Sequence, residues 1–449
     1  MSDTLSTAGR VKDPGIRALY TQDSRWQSWL DVEAALAKAQ AELDIIPKEA
    51  AVAIAKAANL QLFDRERVRE GFERTAHTLV PLVWELGRIV GETHGGWVHW
   101  GATTQNITTT GDLLILRKAH AIYRAHLLDL LRALAGLADQ SADMLMPGRT
   151  HGQHAVPITF GFKVAGWIDE IIRHLERFEQ AAPRIFCAVN GGAAGTYASL
   201  GEQGPAVQDG LARHLQMTSM TVPSRAIGDA LTENICLLGM LAATCSRMAR
   251  EIYLLMKTEF GEVEEPVPPG TVGSSTMPQK RNPKLCQDIV GFAAEIRSTV
   301  PLALEAMQTE HEGDRTTTVM LDAAESRACI ATGDMLSRLV VVMQGLKLNP
   351  QRMRANLDQG GGLIMAEAVM LDLGKIIGRQ HAHDVVYDAA QMAFVENQSF
   401  AELLFKDPRV SSHLQRDEVV ALLNPQNYTG LCGKMAREAA HRARKITAG

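Results

Sequence analysis

The stretch DALTENICLLGMLAATCSRMAREIYLLMKT, residues 229–258, decides the fold. Its apolar residues recur every three or four positions, which is the spacing of one face of an α-helix. These positions are Ile235, Leu238, Leu241, Cys245, Met248, Ile252 and Leu255. At about 1.5 Å of rise per residue, such a helix spans roughly 45 Å. That is longer than an ordinary globular helix, so the stretch predicts an extended helical bundle.

Helical spacing also dominates the rest of the chain. Aromatic residues make up only 5% of the sequence, and strand-like runs rich in Val, Ile and Thr are scarce. An amphipathic helix is predicted over residues 25–43, with Asp23 and Ser24 as its N-cap. Further long helices are predicted over 112–144, 159–182, 284–308 and 316–346. With 229–258 they form five long helices in succession, which is typical of an elongated bundle.

The sequence predicts an all-α protein with three helical domains. The helical pattern is interrupted near Gly111 by TTTGD and near Asn356 by NLDQGGG. The expected division is an N-terminal domain, a central long-helix bundle and a C-terminal domain, at 1–111, 112–355 and 356–449. Ala and Gly among the apolar positions allow close helix packing, and we expect part of the bundle surface to be buried against further copies of the chain. The alternative is a monomer whose Ala-rich faces pack on one another.

Length and charge limit the class of protein. At 449 residues the chain is long enough for about three domains of roughly 150 residues each. Lys and Arg total 46 and Asp and Glu 51, so the net charge of −5 lacks the basic excess of a nucleic-acid or anionic-membrane binder. No apolar run reaches about 18 residues, and the N-terminus lacks the apolar core of a secretory signal. We expect a soluble cytoplasmic protein without nucleic-acid or membrane partners.

Cysteine and histidine spacing gives no support for a metal or cofactor. None of the six cysteines lies in a C-x-x-C pair, and we interpret them as reduced core thiols. The 14 histidines form no zinc signature, and neither a G-x-G-x-x-G after a strand nor a P-loop is present. Neither a metal nor a cofactor is expected.

The segment GEVEEPVPPGTVGSSTMPQKRNPK, residues 261–284, cannot form a continuous helix because of its five prolines. A long irregular connection between two long helices is usually functional or disordered. Gly273, Ser274 and Ser275 offer backbone N–H groups and hydroxyls, and Lys280 and Asn282 follow closely. Such a loop can wrap an anion with amide donors and cations. The alternative interpretation is a solvated basic linker.

Three further segments break the helical pattern. GRTHGQHAVPITF, residues 148–160, carries His151 and His154 in what we interpret as a helix entry, although a single histidine is more often structural. HWGATTQN, residues 99–106, offers hydroxyl and amide groups suited to carboxylate oxygens, and GGAAG, residues 191–195, allows close backbone approach. These residue types suit general acid–base chemistry on a small molecule that carries carboxylates.

The ten residues GSSTMPQKRN, at 273–282, resemble the signature loop of the fumarase/aspartase superfamily, G-S-S-x-M-P-x-K-x-N, at every fixed position. The resemblance covers nearly the whole chain. WLDVEAALAKAQAELDIIP, HWGATTQN, GRTHGQHAVPITFG, GGAAGTYASLG and KIIGRQHAHDVV each resemble segments of the adenylosuccinate lyase and 3-carboxymuconate cycloisomerase branches. The resemblance implies a homotetramer around a central twenty-helix bundle, with each active site assembled from three subunits.

The resemblance also implies roles for individual residues. Ser274 would be the base that removes the Cβ proton, with the adjacent Ser275 as the alternative. His151 would be the general acid to the leaving group, with His77 as a second histidine near it. The implied substrate-binding residues are His99, Thr103, Thr104, Asn106, Thr150, Gln153, Lys280 and Asn282.

The implied reaction is β-elimination that releases fumarate. The resemblance leaves the identity of the substrate open. His151 stands where the cycloisomerases commonly have Trp, which favours elimination of an amine. The adenylosuccinate lyase patterns for nucleotide recognition are altered at SRAIGD, residues 224–229, and at HEGDRTTTVMLD, residues 311–322. Asn106 replaces the Asp usual in both branches, which could suit a substrate with an additional carboxylate.

We therefore predict a lyase that acts on an N-substituted aspartate, such as an iminodisuccinate-like or succinyl-amine compound, with adenylosuccinate included. GGAAGTYASLG and VAGWIDE are more similar to the cycloisomerase branch. A 3-carboxy-cis,cis-muconate cycloisomerase is therefore the alternative enzyme. A non-catalytic scaffold is the third alternative.

Overall fold

The computed structural model describes residues 5–268, 270 and 274–448. Pro269 and Gly273 of the loop at 261–284 lie outside the described residues, and with Gly273 its expected part in anion binding.

The described part of the chain contains eighteen α-helices and six short strands. The first six helices are α1 (Ile16–Leu19), α2 (Gln22–Glu42), α3 (Lys48–Ala57), α4 (Arg65–Thr75), α5 (Val80–Val90) and α6 (Thr104–Gln140). The next five are α7 (Phe160–Ile185), α8 (Gly204–Leu215), α9 (Asp229–Leu255), α10 (Lys284–Glu305) and α11 (Arg315–Gly345). The last seven are α12 (Pro350–Asp358), α13 (Ala366–Ile377), α14 (Arg379–Val395), α15 (Phe400–Lys406), α16 (Pro408–Ser411), α17 (Arg416–Leu422) and α18 (Cys432–Ala448).

The strands form three two-stranded sheets within the described residues. Strands β1 (Leu145–Thr150) and β2 (Gln153–Thr159) are antiparallel, β3 (Cys187–Ala188) and β4 (Thr218–Ser219) are parallel, and β5 (Val263–Glu264) and β6 (Lys347–Leu348) are antiparallel.

The all-α prediction and the five long helices are confirmed. They are α6, α7, α9, α10 and α11. The seven apolar positions that predicted α9 are all buried, at 2% exposure or less. The 3.6-residue period therefore identified the buried face of this helix correctly. The homotetramer stays a prediction.

The sequence prediction was wrong about where α6 begins. The helix starts at Thr104 and continues through TTTGD, where an interruption was expected. Gly111 is there for packing, because an ideal Cβ at this position would lie 2.5 Å from Cδ1 of Trp29. The N-cap of α2 was also misplaced, since the Thr21 hydroxyl accepts the Ser24 N–H at 3.3 Å.

The predicted domain boundaries lie inside helices, Gly111 in α6 and Asn356 in α12, and the three-domain division stays a prediction. By internal packing the chain divides into two compact units. Unit 1 comprises Met1–His126, His174–Ser246 and Asp288–Ser337, and unit 2 comprises Leu127–Arg173, Arg247–Gln287 and Arg338–Gly449.

In unit 1 the buried face of α2 packs against α3 and α8. Its core residues include Trp29, Leu30, Val32 and Leu36, each less than 5% exposed. In unit 2, α13 packs against α14, and a second core forms around Val369, Leu373, Phe400 and Leu404. Each unit thus has an apolar core of its own.

All six cysteines are free thiols, and Cys245, Cys286, Cys329 and Cys432 are buried. Cys187 and Cys236 are only half-buried, so the interpretation as core thiols holds for four of the six.

No helix within the described residues is both long and apolar enough to cross a membrane.

Three carboxylates, of which Glu325 is buried, attach the N-terminal helices of unit 1 to its long helices. Arg25 on α2 donates to both oxygens of Asp112 on α6, at 3.1 and 2.7 Å. It also reaches Asp322 on α11 at 3.3 Å. The Tyr20 hydroxyl donates to Glu325 at 3.2 Å. Burial, and then the negative charges of Asp112 and Asp322, raise the pKa of Glu325 to about 8. The fold therefore favours a protonated Glu325.

We expect Glu325→Gln to stabilise the protein at high pH. Between the ordinary pKa of 4.5 and about 8, the folded state holds a proton that the unfolded chain releases. Wild-type stability therefore falls as the pH rises through this window, by about 1.4 kcal/mol for each unit of pKa shift. The variant cannot ionise there, so its stability advantage should grow from pH 4.5 and level off above about pH 8.

Urea unfolding at a series of pH values measures this difference. Glu179→Gln, which removes an exposed carboxylate from α7 of the same unit, is the matched control. If Glu325→Gln and wild type show the same dependence on pH, Glu325 is ionised in the folded protein and the expectation is wrong.

Candidate active site

His151 lies at the tip of a β-hairpin, not at a helix entry as the sequence suggested. Strands β1 and β2 pair in a register that sets Thr150 opposite Gln153. His151 and Gly152 form the turn with left-handed φ angles of 52° and 78°. This is the two-residue hairpin turn that matches the twist of paired strands. Thr150, His151 and Gln153 are all exposed at the tip.

A buried ion pair anchors this hairpin to the start of the loop at 261–284. Arg149 on β1 donates to both carboxylate oxygens of Glu262, at 3.0 and 2.6 Å. The Glu262 side chain has no exposed surface, and the amide of Asn356 also donates to it at 2.8 Å. The Arg149 guanidinium lies 4.7 Å from the centre of the Phe260 ring. These contacts hold the hairpin, close to its tip, against the first residues of the loop.

The same environment acts on the second histidine of the segment. Burial, and then the positive charge of Arg149, lower the pKa of His154. The neutral imidazole is therefore favoured at this position, as in a structural histidine.

A second carboxylate, near the start of the loop, binds the residues that follow the end of the loop. Glu265 is fully buried and accepts the backbone N–H groups of Leu285 and Cys286, each at 3.1 Å. These N–H groups lie in the first turn of α10, where the helix itself provides no acceptor. Arg281 pairs with Glu264 at 2.8 Å. Apart from β5, the described residues of the loop before α10 are irregular, and the sequence prediction that no continuous helix forms here is confirmed. The two ends of the loop are held together.

Within this loop the Ser274 hydroxyl has a distinctive environment. Its Oγ accepts the backbone N–H groups of Thr276 at 3.3 Å and Met277 at 3.1 Å. Ser275 and Lys280 are exposed, and Asn282 is half-buried. Donors aimed at a hydroxyl oxygen favour its deprotonated form.

In unit 1, His99 is held by helix α2. Its Nδ1 lies 2.6 Å from the carboxylate of Glu33, which is 2% exposed. Burial lowers the pKa of His99, but the hydrogen bond and charge of Glu33 outweigh it and raise the pKa. Gln40, also on α2, donates to the carbonyl of Trp100 at 2.6 Å. The loop before α6 is thus positioned by two buried polar residues of one helix.

Asn106 caps the start of α6. Its Oδ1 accepts the N–H of Thr103 at 3.1 Å, as in a capping box, and the N–H of Gly192 at 3.1 Å. The residue is 1% exposed, and its Nδ2 has no hydrogen-bond partner within the described residues. Asn106 therefore joins the helix start to the GGAAG segment and retains one free donor. Thr103 and Thr104 lie half-buried at the same helix start.

His77 likewise meets a helix start. Its Nδ1 accepts the N–H groups of Leu79 and Val80, at 3.3 and 3.2 Å, where α5 begins. Two N–H donors at Nδ1 require that the proton of a neutral ring sits on Nε2.

Sequence reasoning missed Arg225 and Gln105. The Arg225 Nε donates to Gln105 Oε1 at 2.8 Å, and the Gln105 amide donates to the Arg225 carbonyl at 3.1 Å. Arg225 also donates to the carbonyl of Ala193 in GGAAG. The signal in the sequence was the arginine of SRAIGD, residues 224–229. That segment was interpreted only through the nucleotide-recognition pattern that it lacks.

Each unit therefore brings together part of the candidate set. Unit 1 collects His99, Thr103, Thr104 and Asn106 around the start of α6, and carries His77 at the start of α5. Unit 2 carries Thr150, His151 and Gln153 on the hairpin tip and Ser274, Ser275, Lys280 and Asn282 on the loop.

We expect Glu262→Ala to destabilise unit 2 by about 3–5 kcal/mol, because it leaves the Arg149 charge buried and unpaired. Urea unfolding followed by circular dichroism measures the loss. Asp143→Ala is the matched control, since it breaks an ion pair with Arg437 in which both side chains are more than half exposed, at 78% and 53%. The control should cost less than about 1 kcal/mol. Equal losses in the two variants would contradict a central role for the buried pair.

Comparison with known proteins places this geometry in one family. A family model described as "Lyase" matches residues 9–298, and one described as "Adenylosuccinate lyase C-terminus" matches residues 362–439. The chain is 35% identical to an N-acetyl-S-(2-succino)cysteine lyase from Dickeya dadantii, over 95% of this chain and 94% of the relative.

Two solved structures are similar over almost the full length. A fumarate lyase from Mesorhizobium sp. BNC1 has a TM-score of 0.89 and 35% identity, over 96% of this chain and 98% of that one. A 3-carboxy-cis,cis-muconate lactonizing enzyme from Pseudomonas putida has a TM-score of 0.89 and 32% identity, over 98% and 99%. These matches agree with the resemblance carried by GSSTMPQKRN. The chain belongs to the fumarase/aspartase superfamily and is a lyase of that family.

Proposed function

We propose that the protein releases fumarate by β-elimination from an N-substituted aspartate, with Ser274 as the base and His151 as the acid. The environment of the Ser274 hydroxyl is the observation that carries this proposal. A proton next to a carboxylate is very weakly acidic, so its removal requires a strong base and donors for the charge that develops. The two N–H groups of Thr276 and Met277 on Ser274 Oγ stabilise an alkoxide there.

The departing amine must take up a proton, and His151 is suited to supply it. An imidazole can exchange a proton at neutral pH. The hairpin turn exposes the ring, and the Arg149–Glu262 pair two residues away holds the hairpin in place. His77, with the proton on Nε2, serves as the second histidine.

Polar groups at the start of α6 support carboxylate binding. Helix N-termini attract anions because their first N–H groups are free and the helix dipole is positive there. Thr103, Thr104 and the free Nδ2 of Asn106 add donors at this end of a 37-residue helix. His99, Thr150, Gln153, Lys280 and Asn282 complete the proposed set of binding residues.

Assembly into a homotetramer with shared active sites is part of the proposal. Large apolar side chains are exposed on the long helices, among them Met240 at 47% and Leu254 at 41% on α9 and Val319 at 53% on α11. Apolar surface of this kind is typical of contacts with other chains. A cytoplasmic location, expected from the sequence, is also part of the proposal.

Sulfur is the second candidate for the leaving atom. The Dickeya dadantii relative is named for a succinyl thioether. A thiolate is a better leaving group than an amine, so the same base and donors would suffice. A cycloisomerase is the remaining enzymatic alternative, favoured by the similarity to the lactonizing enzyme.

A substrate panel tests the proposal. The protein is incubated separately with iminodisuccinate, adenylosuccinate, N-acetyl-S-(2-succino)cysteine and 3-carboxy-cis,cis-muconate, and fumarate or lactone is followed by absorbance. Fumarate from a nitrogen compound supports the proposal, and fumarate from the thioether alone moves the leaving atom to sulfur. Lactone alone, or no turnover of any compound, would contradict it.

We expect Ser274→Ala to lower turnover by about 100-fold or more while the substrate still binds, because a positioned base contributes about this much. Ser275→Ala, one residue away in the same loop, is the matched control and should keep most of the activity. Fumarate release measures turnover, and calorimetric titration measures binding. An active Ser274→Ala together with an inactive Ser275→Ala would transfer the role of base to Ser275.

A further inference from the structure

Arg225 is a half-buried arginine with neutral partners only. Its Nε donates to the amide oxygen of Gln105 at 2.8 Å, and its Nη1 donates to the backbone carbonyl of Ala193. Its Nη2 has no acceptor among the described residues. The guanidinium is thus held in one orientation with one nitrogen left to bind something else.

Two other half-buried arginines of this chain are matched by carboxylates, whereas Arg117 and Arg352 donate to backbone carbonyls, as Arg225 does in part. Arg149 pairs with Glu262 and Arg25 with Asp112. Arg225 has no carboxylate within ion-pair distance in the part of the chain that the structure describes. A cation withdrawn from water without a counter-charge is costly unless an anion completes it. The remaining nitrogen, Nη2, can donate to an oxygen of a carboxylate or a phosphate.

Tight packing sets the position of this arginine. An ideal Cβ on Gly195 would lie 2.5 Å from the carbonyl oxygen of Pro223, and one on Gly191 would lie 2.8 Å from the same atom. The GGAAG segment can therefore lie directly against the backbone that precedes Arg225. Gly313 lies on another side, where an ideal Cβ would be 3.4 Å from the guanidinium carbon. These segments therefore approach Arg225 and the backbone before it most closely at glycine positions.

Arg225 also adjoins the proposed carboxylate-binding end of α6. Gln105, its hydrogen-bond partner, lies between Thr104 and Asn106 in the first turn of that helix. Asn106 is 1% exposed and its Nδ2 has no partner within the described residues. Its Oδ1 accepts the N–H of Gly192, and the carbonyl of the next residue, Ala193, accepts the Arg225 Nη1. One neutral donor and one cation are therefore set side by side, each able to take a separate anionic group.

We propose that Arg225 determines substrate specificity by binding a carboxylate carried by the leaving group. The substrate class would be succinyl amines or thioethers whose departing part is itself an acid, such as an amino acid. This inference rests on the proposed function, in which other residues of the proposed binding set hold the two succinyl carboxylates. A third carboxylate then requires a cation of its own.

Matched substrate pairs test the inference. One pair is N-(carboxymethyl)aspartate and its neutral counterpart N-(carbamoylmethyl)aspartate. The other is N-acetyl-S-(2-succino)cysteine and its cysteine carboxamide. Wild type should favour the acid of whichever pair it uses by about 10- to 100-fold in kcat/KM, the usual range for a hydrogen bond to a charged group. Adenylosuccinate, assayed in parallel, reports on a phosphate in place of the carboxylate.

Arg225→Gln should lower kcat/KM for the acid by the same factor, mainly through KM, and leave the amide within about twofold of wild type. Arg225→Lys should restore part of the preference. Arg213→Gln is the control, because the Arg213 side chain, on α8, is 63% exposed and pairs with Glu42 on α2. Thermal melting of each variant reports on folding.

Three results would overturn the inference. They are a wild type that does not distinguish acid from amide, an acid preference that survives in Arg225→Gln, and an equal loss for both substrates. The first depends on wild type alone, so it applies even if the variant does not fold. Failure of the proposed function gives a different result, namely no fumarate from either member of either pair, and the inference falls with it.

Discussion

The buried pair of Arg149 and Glu262 is the constraint on which unit 2 depends. A carboxylate without exposed surface must be matched by donors, and Glu262 receives two from Arg149 and one from Asn356. Because Arg149 lies beside the hairpin tip and Glu262 lies at the start of the loop, one interaction positions both. The loop residues that follow can then be irregular without losing their position.

Helix starts recur at the candidate residues, and there is a physical reason. The first turn of each helix leaves N–H groups without partners, and polar side chains or anions must satisfy them. Glu265 does so for α10, Asn106 for α6 and His77 for α5. The same groups that end a rigid helix are thus available to hold a substrate anion. Long helices provide the rigidity, and the breaks between them provide the chemistry.

Charge is distributed in the same way. Arg25 and Arg149 are compensated inside the protein and stabilise it. Glu325 is uncompensated, and the burial of its carboxyl raises its pKa to about 8, so that it can remain protonated. Arg225 has no such route, because a guanidinium keeps its proton in proteins. Arg225 therefore keeps its charge without a carboxylate partner among the described residues, beside the start of α6 where we propose that an anion binds.

Local residue patterns accounted for the helical class, the five long helices and the irregular loop. Apolar spacing along α9 and the prolines of 261–284 act over a few neighbouring residues, so each can be recognised without the fold. The motif GSSTMPQKRN carried the family and the loop residues for the same reason. The start of α6 was misjudged because Gly111 serves contact with Trp29, a residue far away in sequence.

Only the tertiary structure decided the anchoring of the hairpin under His151 and the place of Arg225. The hairpin is anchored through Arg149 to Glu262, more than a hundred residues away. Arg225 meets Gln105 and Ala193 through packing of segments that are distant in sequence. Contacts of this kind arise from the folding of the whole chain, and no local pattern of residue types encodes them.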